Sequence, residues 1–295
     1  MTVGAVIKKQ NDFSRMLTRI WNEFVYGGHF HSIGVACLVL SSSIVIGSPA
    51  PFSLFVIIYA GVQSGYLYNR YIEYEIDMET NPDRTKHIGR YLNNIPTIIV
   101  TLTALIIFLF IRYGNVLSLL YGLILFIVGL AYSLFIKKIT QKIIGLKNYF
   151  VALSFSSLLL LYAIYTNHIL SVSLWIMLIV ILIRVFSNTI FFDLKDIKSD
   201  MKEGLKTIPV LLGKKKSYIM LYVLNVLSLL PIIIGIICNI IPIYSSSLLL
   251  LALYVVYYLN LARKSNNNIA EISYIYADGE YIVWLLLVGG SSLLV

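Results

Sequence analysis

The stretch NRYIEYEIDMETNPDRTKHIGR, from Asn69 to Arg90, follows an apolar segment and decides how the rest of the chain is interpreted. Within it Asn69, Glu73 and Asp77 stand four residues apart, so on a helix their side chains share one face. Carboxylate and amide oxygens are hard ligands that suit Mg²⁺. Because like charges four residues apart repel each other, the pair of Glu73 and Asp77 favours a bound cation. The stretch therefore predicts a metal site at the inner end of a membrane helix.

A second acidic stretch, DLKDIKSDMKEGLKT, runs from Asp193 to Thr207. Asp196 and Asp200 are again four residues apart and share a helix face. Both stretches end an apolar segment, so they can lie at equivalent ends of two membrane helices. We predict that they form one two-sided catalytic metal site. Its members are Asn69, Glu73, Asp77, Asp196 and Asp200.

The composition is that of an integral membrane protein. Of the 295 residues, 59% are hydrophobic and 13% are charged, and the mean hydropathy is +0.85. A soluble domain has about 25% charged residues. The net charge of +9 does not indicate a nucleic-acid partner, because the basic residues border apolar runs, where anionic lipid headgroups explain them.

Nine apolar runs, each about long enough to cross a hydrocarbon core, follow the first thirty residues. They lie at about 32–48, 53–69, 95–113, 116–136, 149–166, 169–192, 217–241, 245–262 and 280–295. We therefore predict an all-α integral membrane protein with a domain of about nine transmembrane helices at residues 31–295. Residues 1–30 mix basic and apolar residues and are predicted to form an amphipathic helix on the cytoplasmic membrane surface.

The basic residues also predict the orientation. The second, fourth, sixth and eighth gaps between the apolar runs carry nearly all of the loop Lys and Arg residues, with Arg112 as the exception. The positive-inside rule then places these gaps and the N-terminus in the cytoplasm and the C-terminus outside. The acidic residues cluster on the same side, although they contribute little to topology, and this indicates a functional role. We expect a multi-pass protein of a prokaryotic plasma membrane.

Basic residues in the cytoplasmic gaps lie close in sequence to the acidic stretches. They are Arg84, Lys86, Lys137, Lys138, Lys147 and Lys206. Contact with lipid headgroups explains each of them singly. Together with carboxylates on the same face they predict a clamp for a diphosphate, since metal ions and basic side chains neutralise the charge on a leaving oxygen.

Four further residues are predicted to line a cavity beneath the acidic stretches. Arg184 lies within an apolar run, about two turns before Asp193, and shares a helix face with Asn188. An intramembrane Arg normally faces the bundle interior and is paired, so a purely structural ion pair is the alternative for it. Tyr66 and Tyr132 lie at cytoplasmic helix ends, where their rings can stabilise a carbocation or anchor the chain at the interface.

Together these motifs resemble those of the UbiA superfamily of intramembrane prenyltransferases. The residues at the positions of its first motif are Asn69, Glu73, Asp77, Pro82 and Arg84. Those at its second motif are Asp196, Asp200, Gly204, Lys206, Thr207 and Pro209. The chain departs from the family pattern at Glu73, where the family has Asp, and at Thr85, where Pro is common. The resemblance extends over about residues 30–295.

The resemblance implies a helical bundle around a cavity that is open to lipid and capped by cytoplasmic loops. A polyprenyl diphosphate would bind there, with its diphosphate on two Mg²⁺ ions held by the acidic motifs. The enzyme would transfer the prenyl group to a small hydrophobic acceptor, most often an aromatic ring in lipid-quinone or related lipid biosynthesis. A glycerol-lipid hydroxyl, a tetrapyrrole and a sugar phosphate are other acceptors in the family. Membrane lipids would surround the protein.

Three other functions are compatible with parts of this pattern. A terpene cyclase of the same fold would form its product from the prenyl diphosphate alone. A transporter would have interrupted helices with charges near the membrane midplane, whereas the acidic residues here lie at one membrane face. A non-catalytic accessory protein would tolerate the loss of the acidic residues.

Overall fold

The computed structural model describes residues 3–131, 139–264 and 269–294, and it describes side chains from residue 14 onward except that of Thr80. The helices of the first half are α1 (Val3–Tyr26), α2 (His29–Ile46), α3 (Phe52–Ile72), α4 (Tyr74–Thr80), α5 (Pro82–Gly89), α6 (Ile95–Tyr113) and α7 (Val116–Ala131). Those of the second half are α8 (Leu146–Tyr165), α9 (Val172–Lys202), α10 (Ile208–Leu227), α11 (Leu230–Ile237), α12 (Leu251–Lys264), α13 (Ile269–Ile272) and α14 (Asp278–Ser292). Two 3₁₀ segments, Leu92–Asn94 and Ile243–Leu250, and a π-helix, Ser273–Ala277, connect some of them. The described residues contain no strand, so the predicted all-α class is confirmed.

Within the described residues, each predicted apolar run overlaps a helical segment. Seven segments are long and apolar enough to cross a membrane, namely His29–Ile46, Leu92–Tyr113, Leu146–Tyr165, Val172–Lys202, Ile208–Ile237, Ile243–Lys264 and Ile269–Ser292. Helix α7 is apolar but shorter, with 16 described residues, and α3 is not among the seven. A multi-pass membrane protein is thereby confirmed, while the number of nine spans stays a prediction.

Two groups of helices build the core of the bundle. Helix α2 packs against α3 and α14, and α9 packs against α8 and α10. Their buried faces meet around large side chains such as Leu38, Met177 and Trp284, each of which is fully buried. On the outside, α6, α7 and α11 expose apolar side chains such as Ile111 and Ile237. Extended apolar exteriors of this kind suit contact with lipid.

Helix α1 lies outside this core and contacts α2 and α5. Its apolar residues Leu17, Ile20 and Trp21 are exposed, and their spacing places them on one helix face. Such a helix suits the membrane interface, and its location there stays a prediction. Glu23 joins α1 to α5 through a 2.7 Å hydrogen bond with His87. The pKa of Glu23 is lowered to about 2, chiefly by its hydrogen bond with His29. The hydrogen bond with His87 lowers this pKa further, whereas partial burial of the carboxylate raises it.

Candidate active site

A cavity of about 400 Å³ lies inside the bundle. Most of its wall is apolar and comes from α3, α6, α7 and α8. This wall includes Ile57, Ile106, Phe110, Leu125, Phe155 and Leu158. Asn188 and Asp278 each contribute a polar side chain to the lining, and six further charged and amide side chains come from α5, the end of α3, α9 and the start of α8. They are Asn69, Arg70, Arg84, Lys147, Asp193 and Asp196. The cavity therefore combines a long apolar wall with one charged end.

The first acidic stretch forms the end of α3, a turn at Glu73, and α4. The amide N–H of Glu73 donates to the carbonyl of Asn69 at 3.0 Å, and that of Asp77 donates to the carbonyl of Glu73 at 2.8 Å. The backbone hydrogen bonds of a helix therefore continue through the turn, so the four-residue spacing of the three predicted ligands still corresponds to about one helical turn each. Asn69 lines the cavity, Glu73 is partly buried and Asp77 is buried.

Arg70 provides a cation for this pair of acidic residues. Its guanidinium forms an ion pair with the carboxylate of Asp77, and its Nη2 lies 4.0 Å from Glu73 Oε2. Arg84 Nη2 lies 3.7 Å from the other carboxylate oxygen of Asp77. Arg70 is not among the residues predicted from sequence, although it stands three and seven residues before the two acidic residues and thus on their helix face.

The second acidic stretch is helical and extends α9 well beyond the predicted apolar run. Asp196 lines the cavity, and its Oδ2 accepts a hydrogen bond from Lys195 Nζ at 2.9 Å. Asp200 is buried about one turn further on and is not among the described residues that line the cavity. Thr207 Oγ1 donates to its Oδ2 at 3.0 Å.

Asp193, the first residue of that stretch, was not predicted as a site residue, yet it lines the cavity and is fully buried. Lys147 Nζ and Asn148 Nδ2 each donate to one of its carboxylate oxygens at 2.7 Å. The sequence signal that identifies it is its spacing, since Asp193 stands three and seven residues before Asp196 and Asp200. Lys147, a predicted diphosphate-binding residue, is thereby held at the cavity.

Tyr274, in the π-helix before α14, connects the two stretches. The guanidinium carbon of Arg84 lies 5.1 Å from the centre of its ring, and Lys195 Nζ lies 5.6 Å from the same centre. Both separations are within the range of a cation–π interaction. The Tyr274 hydroxyl also donates to Asn81 at 2.5 Å. One aromatic ring thus contacts a basic residue of each stretch.

Two predicted diphosphate-binding residues are not among the described residues that line the cavity, and their role stays a prediction. Lys86 is exposed on the face of α5 opposite to the buried Arg84 and Ile88. Lys206 is also exposed, because its neighbours Leu205 and Thr207 are buried and the extended loop alternates its side chains. Lys137, Lys138 and Tyr132 lie outside the described residues.

Tyr66 and Asn188 line the cavity, as predicted. The Tyr66 hydroxyl donates to the carbonyl of Tyr26 at 2.9 Å. Its ring fits only because residue 28 is glycine: Gly28 has a φ of +83°, and a Cβ there would lie 2.4 Å from the Tyr66 ring. Asn188 donates from Nδ2 to the carbonyl of Ala277 at 2.9 Å.

Arg184 does not line the cavity, and the alternative of a structural ion pair describes its position instead. Its guanidinium pairs with the carboxylate of Glu280 on α14 and donates to Asn225 Oδ1 at 2.6 Å. Tyr258 completes the group by donating to the second oxygen of Glu280 at 3.0 Å. A charged Arg inside an apolar bundle requires a paired carboxylate, and only the folded chain shows that α14 supplies it.

The side chains at the charged end suit Mg²⁺ in their chemistry, since they offer amide and carboxylate oxygens. In the part of the chain that the structure describes, no three acidic, His or Cys side chains converge into a metal-binding cage. The carboxylates of Asp77, Asp193 and Asp196 are paired with basic side chains instead. This arrangement fits a cation that binds through one or two carboxylates together with phosphate oxygens of a substrate.

Comparison with known sequences assigns residues 32–277 to the UbiA prenyltransferase family. A digeranylgeranylglyceryl phosphate synthase from Pyrococcus abyssi is 27% identical over 187 residues, which cover 62% of this chain and 65% of that protein. The match with this curated relative therefore spans slightly less than two thirds of the relative's length.

Solved structures of two UbiA homologues share the fold. The homologue from Aeropyrum pernix K1 has a TM-score of 0.68 at 14% identity, over 90% of this chain and 97% of that chain. The homologue from Archaeoglobus fulgidus, whose structure holds GPP and Mg²⁺, has a TM-score of 0.63 at 13% identity, over 90% and 98% of the two chains. Identities this low show the fold alone. The resemblance of the acidic motifs, the helical bundle and these matches agree, and the chain belongs to the UbiA prenyltransferase family.

Proposed function

We propose that this protein transfers a prenyl group from a polyprenyl diphosphate to a hydrophobic acceptor. The observation that carries the proposal is the cavity, which joins an extended apolar wall to one charged end. A prenyl diphosphate has the same two parts, an apolar chain and a strongly anionic head. In this binding mode the chain packs against Ile106, Phe110 and Leu158, and the diphosphate lies among Arg70, Arg84 and Lys147.

The basic side chains at the charged end would bind the diphosphate directly. Arg70 and Arg84 present planar guanidinium groups that match phosphate oxygens, and both are already held near the cavity by Asp77. Buried cationic groups aimed at a leaving diphosphate stabilise the charge that develops on it. The apolar wall excludes water, so the allylic cation reacts with the acceptor before it is hydrolysed.

The carboxylates and amide of the two stretches would hold the metal. The proposed ligands are Asn69, Glu73, Asp77, Asp196 and Asp200, and we add Asp193 because it lines the cavity. When bound, Mg²⁺ neutralises negative charge on the phosphate oxygens. A homologue of the same fold whose structure holds GPP and Mg²⁺ supports this cofactor, and we propose two ions, one for each acidic stretch.

Two chemical classes of acceptor are candidates. An aromatic ring is the acceptor expected from the sequence resemblance. The similarity to a digeranylgeranylglyceryl phosphate synthase favours a glycerol-lipid hydroxyl group instead. We therefore rank a glyceryl phosphate lipid first and an aromatic ring of lipid-quinone biosynthesis second.

Product analysis tests this function directly. The purified protein in lipid would be incubated with Mg²⁺, prenyl diphosphates of several lengths, and each acceptor class in separate reactions. Mass spectrometry should detect a prenylated acceptor and released diphosphate, and neither in the presence of EDTA. A hydrocarbon product from the donor alone would instead identify a cyclase, and absence of diphosphate release with every donor would contradict the proposed function.

A further inference from the structure

We propose that His31 and Asp278 form a catalytic dyad in which His31 accepts the proton of the acceptor hydroxyl group. The inference rests on the proposed function and names the base of that reaction. Neither residue belongs to the two acidic stretches. Both line the same cavity, and His31 Nδ1 lies 2.7 Å from Asp278 Oδ1.

The hydrogen bond to Asp278 determines which ring nitrogen can act. A carboxylate that accepts from Nδ1–H fixes the tautomer in which Nε2 carries the lone pair. Nε2 is then the nitrogen available to a molecule in the cavity. The side chain of His31 is 25% exposed and that of Asp278 is 11% exposed, so the imidazole remains accessible while the carboxylate that orients it is nearly buried.

Two local features of the fold, a close helix approach and a π-helix, position Asp278 beside His31. Helix α2 approaches α14 so closely that a Cβ at Gly34 would lie 2.7 Å from the carbonyl oxygen of Asp278. The π-helix Ser273–Ala277 ends immediately before Asp278. π-Helical turns are rare and occur frequently at functional sites. Together these features set the position of Asp278 beside the third residue of α2.

The dyad lies where the two parts of the cavity meet. The imidazole centre is 6.4 Å from the ring of Tyr66 and 5.8 Å from the ring of Phe155. Tyr66 is near the charged end, since its ring lies 5.7 Å below the guanidinium of Arg70, whereas Phe155 belongs to the apolar wall. The carbon of a prenyl diphosphate that bears the leaving oxygen would lie at this junction.

A purely structural pair is less consistent with the choice of residues. Two residues further along α14, Glu280 is neutralised by Arg184, which holds its charge at every accessible pH. Asp278 is paired with a His, the side chain that takes up and releases a proton near neutral pH. Of the four His residues in the sequence, His31 is the one that lines the cavity.

Asn188 gives independent evidence that a polar ligand binds here. It lines the cavity, and its Oδ1 is buried without a hydrogen-bond partner among the described residues. An unsatisfied buried acceptor is costly and calls for a partner. Its Nδ2 contacts the Tyr281 hydroxyl at 3.2 Å, which places Asn188 against the same helix as Asp278. A polyol head, such as that of a glyceryl phosphate lipid, can donate one hydroxyl to Asn188 and another to His31.

The proposed transfer needs no reactant besides the donor, the acceptor and these two side chains. The bond between the prenyl carbon and the diphosphate oxygen breaks, and its electron pair leaves with the diphosphate. The acceptor oxygen forms a new bond to that carbon, and its proton passes to His31 Nε2. Asp278 stabilises the resulting imidazolium, which then releases the proton to water.

The test separates ionisation of the donor from attack by the acceptor. Exchange of ¹⁸O between bridging and non-bridging positions of GPP, without acceptor, measures cleavage and re-formation of the carbon–oxygen bond. Transfer to a glyceryl phosphate lipid measures the complete reaction. His31→Asn keeps a hydrogen-bond donor for Asp278 but removes the base, and Asp278→Asn keeps His31 in place. His29→Asn is the matched control, because His29 is two residues away and does not line the cavity.

For His31→Asn we expect isotope exchange within about threefold of the unmodified protein and a loss of transfer of roughly 10²–10⁴-fold, the range of general base catalysis. Asp278→Asn should also lose transfer more than exchange, and His29→Asn should change neither. Transfer by His31→Asn at the rate of the unmodified protein would overturn the dyad alone. So would a loss of exchange as large as the loss of transfer in both dyad variants. Absence of both exchange and transfer in the unmodified protein would overturn the proposed function and the dyad with it.

Discussion

At the scale of single residues, Arg70 has the largest consequence for the site. It lies between Glu73 and Asp77 and so occupies the position where the spacing of two acidic residues favours a cation. Two roles follow from this position. In the absence of substrate Arg70 neutralises buried carboxylates, and with substrate it offers a guanidinium to the diphosphate.

Replacing Arg70 tests the second role. A hydrogen bond to a charged group contributes about 1.5–3 kcal/mol, so Arg70→Ala should raise the KM for the prenyl diphosphate by about tenfold or more. Arg70→Lys keeps the charge and should lose less. Steady-state kinetics at saturating acceptor measures both variants. An unchanged KM in Arg70→Ala would remove this residue from the diphosphate site.

Spacing along the helices predicted part of the site. Of the residues that the two motifs identify, Asn69, Arg84 and Asp196 line the cavity, and their roles in binding stay predictions. Sequence alone did not show which face of a short helix or loop is buried, and Lys86 and Lys206 lie on exposed faces away from the cavity. Tyr274 was missed because its contacts join segments that are almost 200 residues apart.

At the scale of helices, the buried pair of Arg184 and Glu280 connects α9 to α14. Both side chains are at most 3% exposed. Removing one member leaves the other charged and buried, whereas replacing both by apolar residues of similar size is often neutral. The pair therefore fixes the relative position of the helices that carry Asp193 and Asp278.

Glu280→Gln should lower the free energy of unfolding by about 3–5 kcal/mol, since it leaves the Arg184 guanidinium without its carboxylate. The double variant Arg184→Met/Glu280→Met should recover most of that loss. Denaturant unfolding in detergent, followed by circular dichroism, compares them. A single variant as stable as the unmodified protein would show that the pair contributes nothing to the packing of α9 on α14.

Apolar runs predict the helices better than they predict their ends. Helix α9 continues to Lys202 because the acidic stretch is itself helical, although hydropathy falls after the predicted limit at residue 192. The predicted run at 217–241 contains the end of α10 and all of α11, separated near Ser228. A hydropathy pattern shows neither cause: paired charged residues continue α9, and Pro231 stands in the first turn of α11, where the helix begins anew.

At the scale of the whole molecule, the orientation in the membrane follows from the basic gaps and stays a prediction. The charged end of the cavity should face the cytoplasm, because its residues adjoin the gaps rich in Lys and Arg. Reporter fusions placed after Lys147 and after Lys216 should therefore both be cytoplasmic. An external signal from either fusion would reverse the orientation.

The central claim is that the two acidic stretches act together on one diphosphate. Asp77 and Asp196 are on different helices, and the ring of Tyr274 contacts Arg84 and Lys195, which lie beside them. If both carboxylates support the same charged group, removal of either should cost about 10²-fold or more in turnover, comparable to the loss of one preorganised stabilising group. Residues that act as a unit are strongly non-additive.

The most direct measurement is the turnover of Asp77→Asn, Asp196→Asn and the double variant, with saturating prenyl diphosphate and acceptor and with Mg²⁺ in excess. The account predicts that the double variant is little slower than the slower single variant, and that EDTA abolishes the activity of the unmodified protein. A shared site would be contradicted if the fold losses in turnover of the two single variants multiplied in the double variant, or if turnover persisted in EDTA.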